Sequence, residues 1–147
     1  MSSSSLNLTY EYSGDPDDDF GWLGVEVMTE RSAGRGGFWV QWQDVKEFGE
    51  ELNAYPIAPD APIRGAWGYE PWEGDALVVS IEIGAADKRG NLLVKVRLRD
   101  HTEMGEGEPT ECLRTSFLTQ YPQLDAFRLG IAKLIDGKAE QAKLLGS

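Results

Sequence analysis

Leu77, Val79, Ile81 and Ile83 fall on alternate positions, and so do Leu92, Val94, Val96 and Leu98, with GAADKRGN between the two runs. Side chains along a strand change face at every residue, so each run presents one continuous apolar face, and the Gly- and Asn-bearing segment between them folds one onto the other. An antiparallel hairpin here limits the fold more than any other feature, because a register slip of one residue in either strand would turn its whole apolar set to solvent. On the opposite face Glu82 confronts Lys95 and Arg97, unlike charges across the strands.

The same period recurs elsewhere. Leu6, Leu8, Tyr10 and Tyr12 mark a first strand starting at Leu6, and Leu23, Val25 and Val27 a second that forms a hairpin with it. RSAGRGG, residues 31–37, is expected to be a Gly-rich turn, followed by a third strand with Phe38, Val40 and Trp42 on one face and Trp39 and Gln41 on the other. Ile63, Trp67 and Tyr69 mark a fourth strand, the hairpin above supplies the fifth and sixth, and Leu113, Thr115 and Phe117 mark a seventh.

Two helical patterns interrupt the strands. Val45, Phe48 and Leu52 form one apolar stripe, and Asp44 and Glu47 have the spacing of a capping box at its start. The prolines at 56, 59 and 62 make the next segment a loop. Leu124, Phe127, Ile131, Leu134 and Ile135 form the second stripe, with Pro122 in the first turn and Gly137 placed as the stop. The order β-β-β-α-β-β-β-β-α predicts an α+β fold: a mostly antiparallel sheet of about seven strands with two helices packed on one face. A β-sandwich is the alternative. Residues 1–5 are expected to be disordered, 6–137 to form a single α+β domain, and 138–147 to be a short tail with at most a weak helical turn.

At 147 residues the chain has the size of one domain, large enough to hold a core without disulfide or metal. Cys112 is its only cysteine, which removes any intrachain disulfide and any CxxC zinc framework. MSSSSLNLTY lacks the basic and apolar regions of a signal peptide, and no apolar run approaches the length of a membrane span; the expectation is a soluble cytoplasmic protein with no membrane contact. A net charge of -11 argues against nucleic acid, whose phosphates need Lys and Arg clusters. Its natural complement is a basic partner.

The acids are concentrated. If the strands run as meanders, the loops after the first, fourth and sixth share one end of the sheet. They carry Asp15, Asp17, Asp18 and Asp19, then Glu70, Glu73 and Asp75, then Asp100, Glu103, Glu106, Glu108 and Glu111, with no Lys or Arg among them. Arg31, Arg35, Lys88 and Arg89 would occupy the opposite end. Such a surface steers a basic protein toward itself, although acidic turns also serve solubility alone. Trp39 and Trp72 fall out of phase with the core or in a loop and can act as exposed anchors, whereas Trp22, Trp42 and Trp67 are expected to fill the core.

Other chemistries find little support. Asp15, Asp17, Asp19 and Glu26 match the EF-hand positions for carboxylates, but Phe20 stands where that loop needs Gly and the flanks read as strands. The sole histidine, His101, lies in a polar turn, and GxSxG, HExxH and GxxxxGK[ST] are absent, so neither an enzyme nor a cofactor is expected.

DDDFGWLGVEV, GGFWVQWQDVKEFGEEL and YPQLDAFRLGIAKLI, in that order, resemble the small bacterial Wap-type immunity proteins. In that family a strand pair precedes an aromatic strand, a D-[VL]-x-x-F helix, further strands and a closing helix. The resemblance implies a non-enzymatic α+β protein that neutralises a cognate toxin in the cytoplasm, and it transfers no catalytic or ligand residue; 54–75 has no counterpart in the pattern. Three functions stay open. The first is an interaction protein meeting a basic partner through the acidic loops, Trp72 and Trp39. The others are a small-molecule or carbohydrate-binding module using Glu70 and Glu73, and a housekeeping domain with no ligand.

Overall fold

The computed structural model describes residues 3–15, 17–68, 77–99 and 112–147. Its fold is α+β, with eight antiparallel strands and two helices. The elements are β1 (Ser4–Tyr12), β2 (Phe20–Met28), β3 (Ala33–Gln41), α1 (Trp42–Glu51), β4 (Ile63–Gly68), β5 (Leu77–Ala85), β6 (Asn91–Arg99), β7 (Cys112–Gln120), α2 (Tyr121–Ile135) and β8 (Ala142–Gly146). The strands form two four-stranded sheets, ordered β3-β2-β1-β8 and β4-β5-β6-β7, in place of the single sheet of about seven expected.

The hairpin that anchored the prediction has the expected register: Val79 pairs with Leu98, Ile81 with Val96 and Ile83 with Val94, all buried. Its turn is held by Asp87, whose carboxylate accepts hydrogen bonds from the amides of Arg89 and Asn91 and from the Asn91 side chain. Gly90 completes the turn at φ 96, a conformation that L side chains rarely adopt. Outside, Glu82 pairs with Lys95 at 3.7 Å, while Arg97 stands opposite Ser80.

The two ends of the chain depart most from expectation. Ser4 and Ser5, expected to be disordered, begin β1, and the expected tail holds an eighth strand instead of a helical turn. β8 pairs antiparallel with β1, Leu6 opposite Leu144, and buries Ala142 and Leu144. Just past β8, the amide and carbonyl of Ser147 exchange hydrogen bonds with Leu118 of β7, and the Thr119 hydroxyl donates to the Leu145 carbonyl. β8 thereby clasps the first sheet to the second.

On the other side β3 crosses the second sheet. Gly34 abuts Leu113 of β7, Gly36 lies against Leu98 of β6, and residues 38–41 reach β4. The glycines expected to make a turn therefore lie in a strand, where the lack of a Cβ lets a second layer come close; the turn itself is confined to residues 29–32, closed by the Thr29 amide on the Ser32 carbonyl. This crossing also changes the expected charge map. The Thr115 hydroxyl donates to Thr29 Oγ1 at 3.3 Å, which brings the β2–β3 turn, with Arg31, beside the start of β7 rather than to a far end.

The helices do not lie side by side on one sheet face. α1 packs against β3, β4 and α2, and α2 against β8, β1 and β7, so the pair spans the space between the sheets. Val45 and Phe48 of α1, and the five predicted residues of α2, are all buried, as is Leu52 just after α1. Gly137, at φ 76, ends α2 in a Schellman motif: its amide donates to the Leu134 carbonyl and the Lys138 amide to that of Lys133.

Candidate functional site

The β3–α1 junction builds the site. Val40 ends the buried face of β3, and the chain passes through Gln41 directly into α1. No side chain caps this helix, so the predicted box of Asp44 and Glu47 is not formed. Its place is taken by the loop between β1 and β2: the Trp42 amide donates to the Asp19 carbonyl at 3.0 Å, and Gln43 Nε2 donates to Asp19 Oδ2 at 3.0 Å. One orphan amide of the helix start is satisfied, and the acidic loop is fixed against α1.

Asp44 and Glu47, freed from capping, stand with Glu51 at i, i+3 and i+7, one stripe beside the buried Val45, Phe48 and Leu52. That stripe forms one wall of a groove of about 480 Å³ between α1, β3 and β4. Phe38, Val40, Phe48 and Trp67 form its apolar floor, with Trp67 edge-on to Phe48 at 6.0 Å, and Arg64 is the only base of its lining among the described residues. Phe20 and Trp39 border it and are 42% and 49% exposed, high for side chains of their size. A concave apolar floor under a carboxylate rim suits a cationic or aromatic group that can be desolvated on one side.

The electrostatics of the loop and the helix converge. Tyr10 donates to the Val40 carbonyl at 2.7 Å, and its ionisation is pushed well above 10.0, first by burial, then by Tyr12, Asp18, Asp19 and Asp44. Carboxylates from both elements thus act on one hydroxyl.

The predicted site residues meet different fates. Asp15 accepts from the Asp17 amide at 2.9 Å, Asp18 from the Phe20 amide at 2.8 Å, and Asp19 binds Gln43, so three of the four aspartates shape the loop as well as charge it. Asp17 is exposed at the turn. Trp39 is exposed as expected and shares the groove border with Phe20, the residue just after the loop. Its cross-strand partner Trp22, expected in the core, is on the outer face of the first sheet with it. Glu70, Trp72, Glu73, Asp75, Asp100, Glu103, Glu106, Glu108 and Glu111 lie outside the described residues, as does His101. Asp44, Glu47 and Glu51 were missed as site residues, although an acidic stripe running in step with an apolar one is visible in EFGEEL and its flanks.

Among the described residues no group of three or more His, Cys, Asp or Glu is placed to hold a metal ion, and no helix is long and apolar enough to cross a membrane. No protein-family model, no curated protein and no solved structure matches this chain.

Proposed function

We infer that this protein is a non-enzymatic, cytoplasmic interaction protein that neutralises a basic protein toxin, the role implied by the resemblance to Wap-type immunity proteins. The observation that carries this reading is the groove between α1, β3 and β4, where a carboxylate stripe and two half-exposed aromatics surround an apolar floor beside the acidic loop. A Lys or Arg side chain entering it would lie between Asp44, Glu47 and the ring faces. Asp17, Asp18 and Asp19 would raise the association rate at long range, and Trp39 and Phe20 would supply affinity once water is excluded.

The test is capture of a partner from native lysate at low and high salt, since exposed charges more than a Debye length apart are screened. Loss of the complex at high salt, and its weakening when Asp17, Asp18 and Asp19 are changed to Lys, support the reading. A partner whose affinity and salt dependence ignore those changes would overturn it. A toxin gene beside this one would add independent support.

A second reading rests on the same groove. Its volume lies within the range of small-ligand pockets, and aromatic floors with carboxylates at the rim also suit a carbohydrate. Saturable binding of a sugar that is abolished by Trp67→Ala and indifferent to the aspartate reversals would favour it.

A further inference from the structure

We propose that the element of the partner recognised here is an extended strand with bases at alternate positions, which adds to the free edge of β4 inside the groove. This rests on the reading of that groove as the site of a basic partner, and it specifies how the partner is held. β4 pairs with β5 alone, in regular register from Ile63 to Trp67, and the one irregularity comes at Gly68. Along its other side no backbone hydrogen bond is made among the described residues. The amides and carbonyls that point away from β5 therefore form a row able to pair with a second chain. Lys and Pro commonly blunt such an edge, and Ile63–Gly68 contains neither.

The lining of the groove points the same way. Arg64, Gly65, Ala66, Trp67 and Gly68 all border it. Side chains change face at every residue of a strand, so a run that lines a groove without gaps does so partly with its main chain. Gly65, Ala66 and Gly68 carry nothing larger than a methyl group to shield that main chain, whereas β3 borders the groove with the bulkier Phe38, Trp39, Val40 and Gln41. A strand added to β4 turns alternate side chains toward α1, on the face where Gly65 and Trp67 meet Phe48, and the others to the face of Arg64 and Glu82. Asp44, Glu47 and Glu51 span about 10.5 Å along α1, and same-face residues of a strand recur about every 6.7 Å, so two successive lysines can each reach a carboxylate. The residues outside the described ones include no Lys or Arg, so none of them offsets these acids. On the other face Arg64 disfavours a further base and suits a hydroxyl.

The test is amide NMR of the full chain titrated with a capped heptapeptide that alternates threonine and lysine, and with two versions of it, one N-methylated at every lysine and the other at every threonine. In an added strand one set of amides faces β4 and the other faces away. Saturable shifts centred on Arg64–Gly68 are expected, with one methylated peptide weakened about tenfold or more and the other binding like the unmodified one. Equal binding by all three peptides, or equal loss in both methylated forms, overturns the strand addition and leaves the basic-partner reading standing. Shifts centred on Phe38–Gln41 overturn the choice of β4. The double variant Asp44→Asn, Glu47→Gln is expected to weaken the unmodified peptide about threefold or more. If no peptide binds, or if binding ignores that variant, the basic-partner reading of the groove fails and the strand addition with it.

Discussion

Trp22 and Trp39 stand directly opposite one another on the outer face of the first sheet, with ring centroids 5.5 Å apart and planes at 76°. The edge-to-face contact holds Trp39 in place while leaving it half exposed, so little rotamer freedom remains to be lost on binding. Trp39→Ala is therefore expected to weaken a partner complex by about tenfold or more, roughly 1.4 kcal/mol, while costing no more than about 1.5 kcal/mol of folding stability. Binding calorimetry and urea unfolding on the same variant separate the two. A large stability loss with unchanged affinity would remove Trp39 from the interface.

Gly49 lies in the last turn of α1, where Ala is intrinsically better by about 1 kcal/mol. A methyl group there would meet Ile131 Cγ2 of α2 at 2.7 Å, and Ile131 is buried. Gly49→Ala is expected to destabilise by a net amount of about 1–3 kcal/mol, read as a lower urea midpoint at unchanged slope. Stabilisation would show that the helices can move apart freely.

Leu144 is fully buried and Leu145, its neighbour, is 55% exposed. Leu144→Ala should cost about 2–5 kcal/mol, and Leu145→Ser should fall within about 0.5 kcal/mol of the unchanged protein. Equal effects would mean that β8 is not part of the core in solution.

Tyr10 ionises in the unfolded chain near 10.0 and in the folded protein only at higher pH. Between those values the folded state binds more protons than the unfolded state, so stability falls as pH rises. Below 10.0 the contribution is complete. Tyr10→Phe should flatten this alkaline decline, at a cost near neutral pH of about 0.5–1.5 kcal/mol for the lost hydrogen bond to the Val40 carbonyl. Thermal melts against pH read both effects.

Asp87 has the opposite sign. Hydrogen bonds from the Asn91 side chain and the Arg89 amide hold its carboxyl below the ordinary 3.8. Its contribution is present above that value and is lost as pH falls through the folded-state value. Asp87→Ala should be less stable than the unchanged protein near neutral pH, the gap narrowing as the pH drops below 3.8. A gap that persists unchanged in acid would assign Asp87 a role other than its charge-assisted bonds.

Where a residue's partners are close in sequence, the pattern of residue types carried the structure. The Val79–Leu98 hairpin, the α2 stripe and the Gly137 stop each follow from spacing alone. Where partners are distant, it did not. Ala142 and Leu144 give only two buried positions in five, too few to distinguish a strand from a frayed helix, and their partner strand lies at the other end of the chain. Gly34, Gly36 and Gly37 read as a turn because glycine punctuates loops, whereas here Gly34 and Gly36 clear room for a crossing sheet and Gly37 for the Trp22 ring of the neighbouring strand. The exposure of Trp39 was legible from its phase. Asp44 and Glu47 were assigned to a helix cap, and only the geometry of the Asp19 carbonyl shows that α1 is started by another element and that both acids are left to line the groove.

The clasp between Ser147 and Leu118 also orders events in time. The β1–β2 hairpin can form as soon as its own residues meet, but β1 keeps one edge unpaired until β8 arrives from nearly the full length of the chain away. Closing so long a loop is slow compared with forming a local hairpin. During that interval the Leu6 and Leu8 edge is open to any other extended segment, so the yield of folded protein should depend on concentration at this last step more than on the stability finally reached.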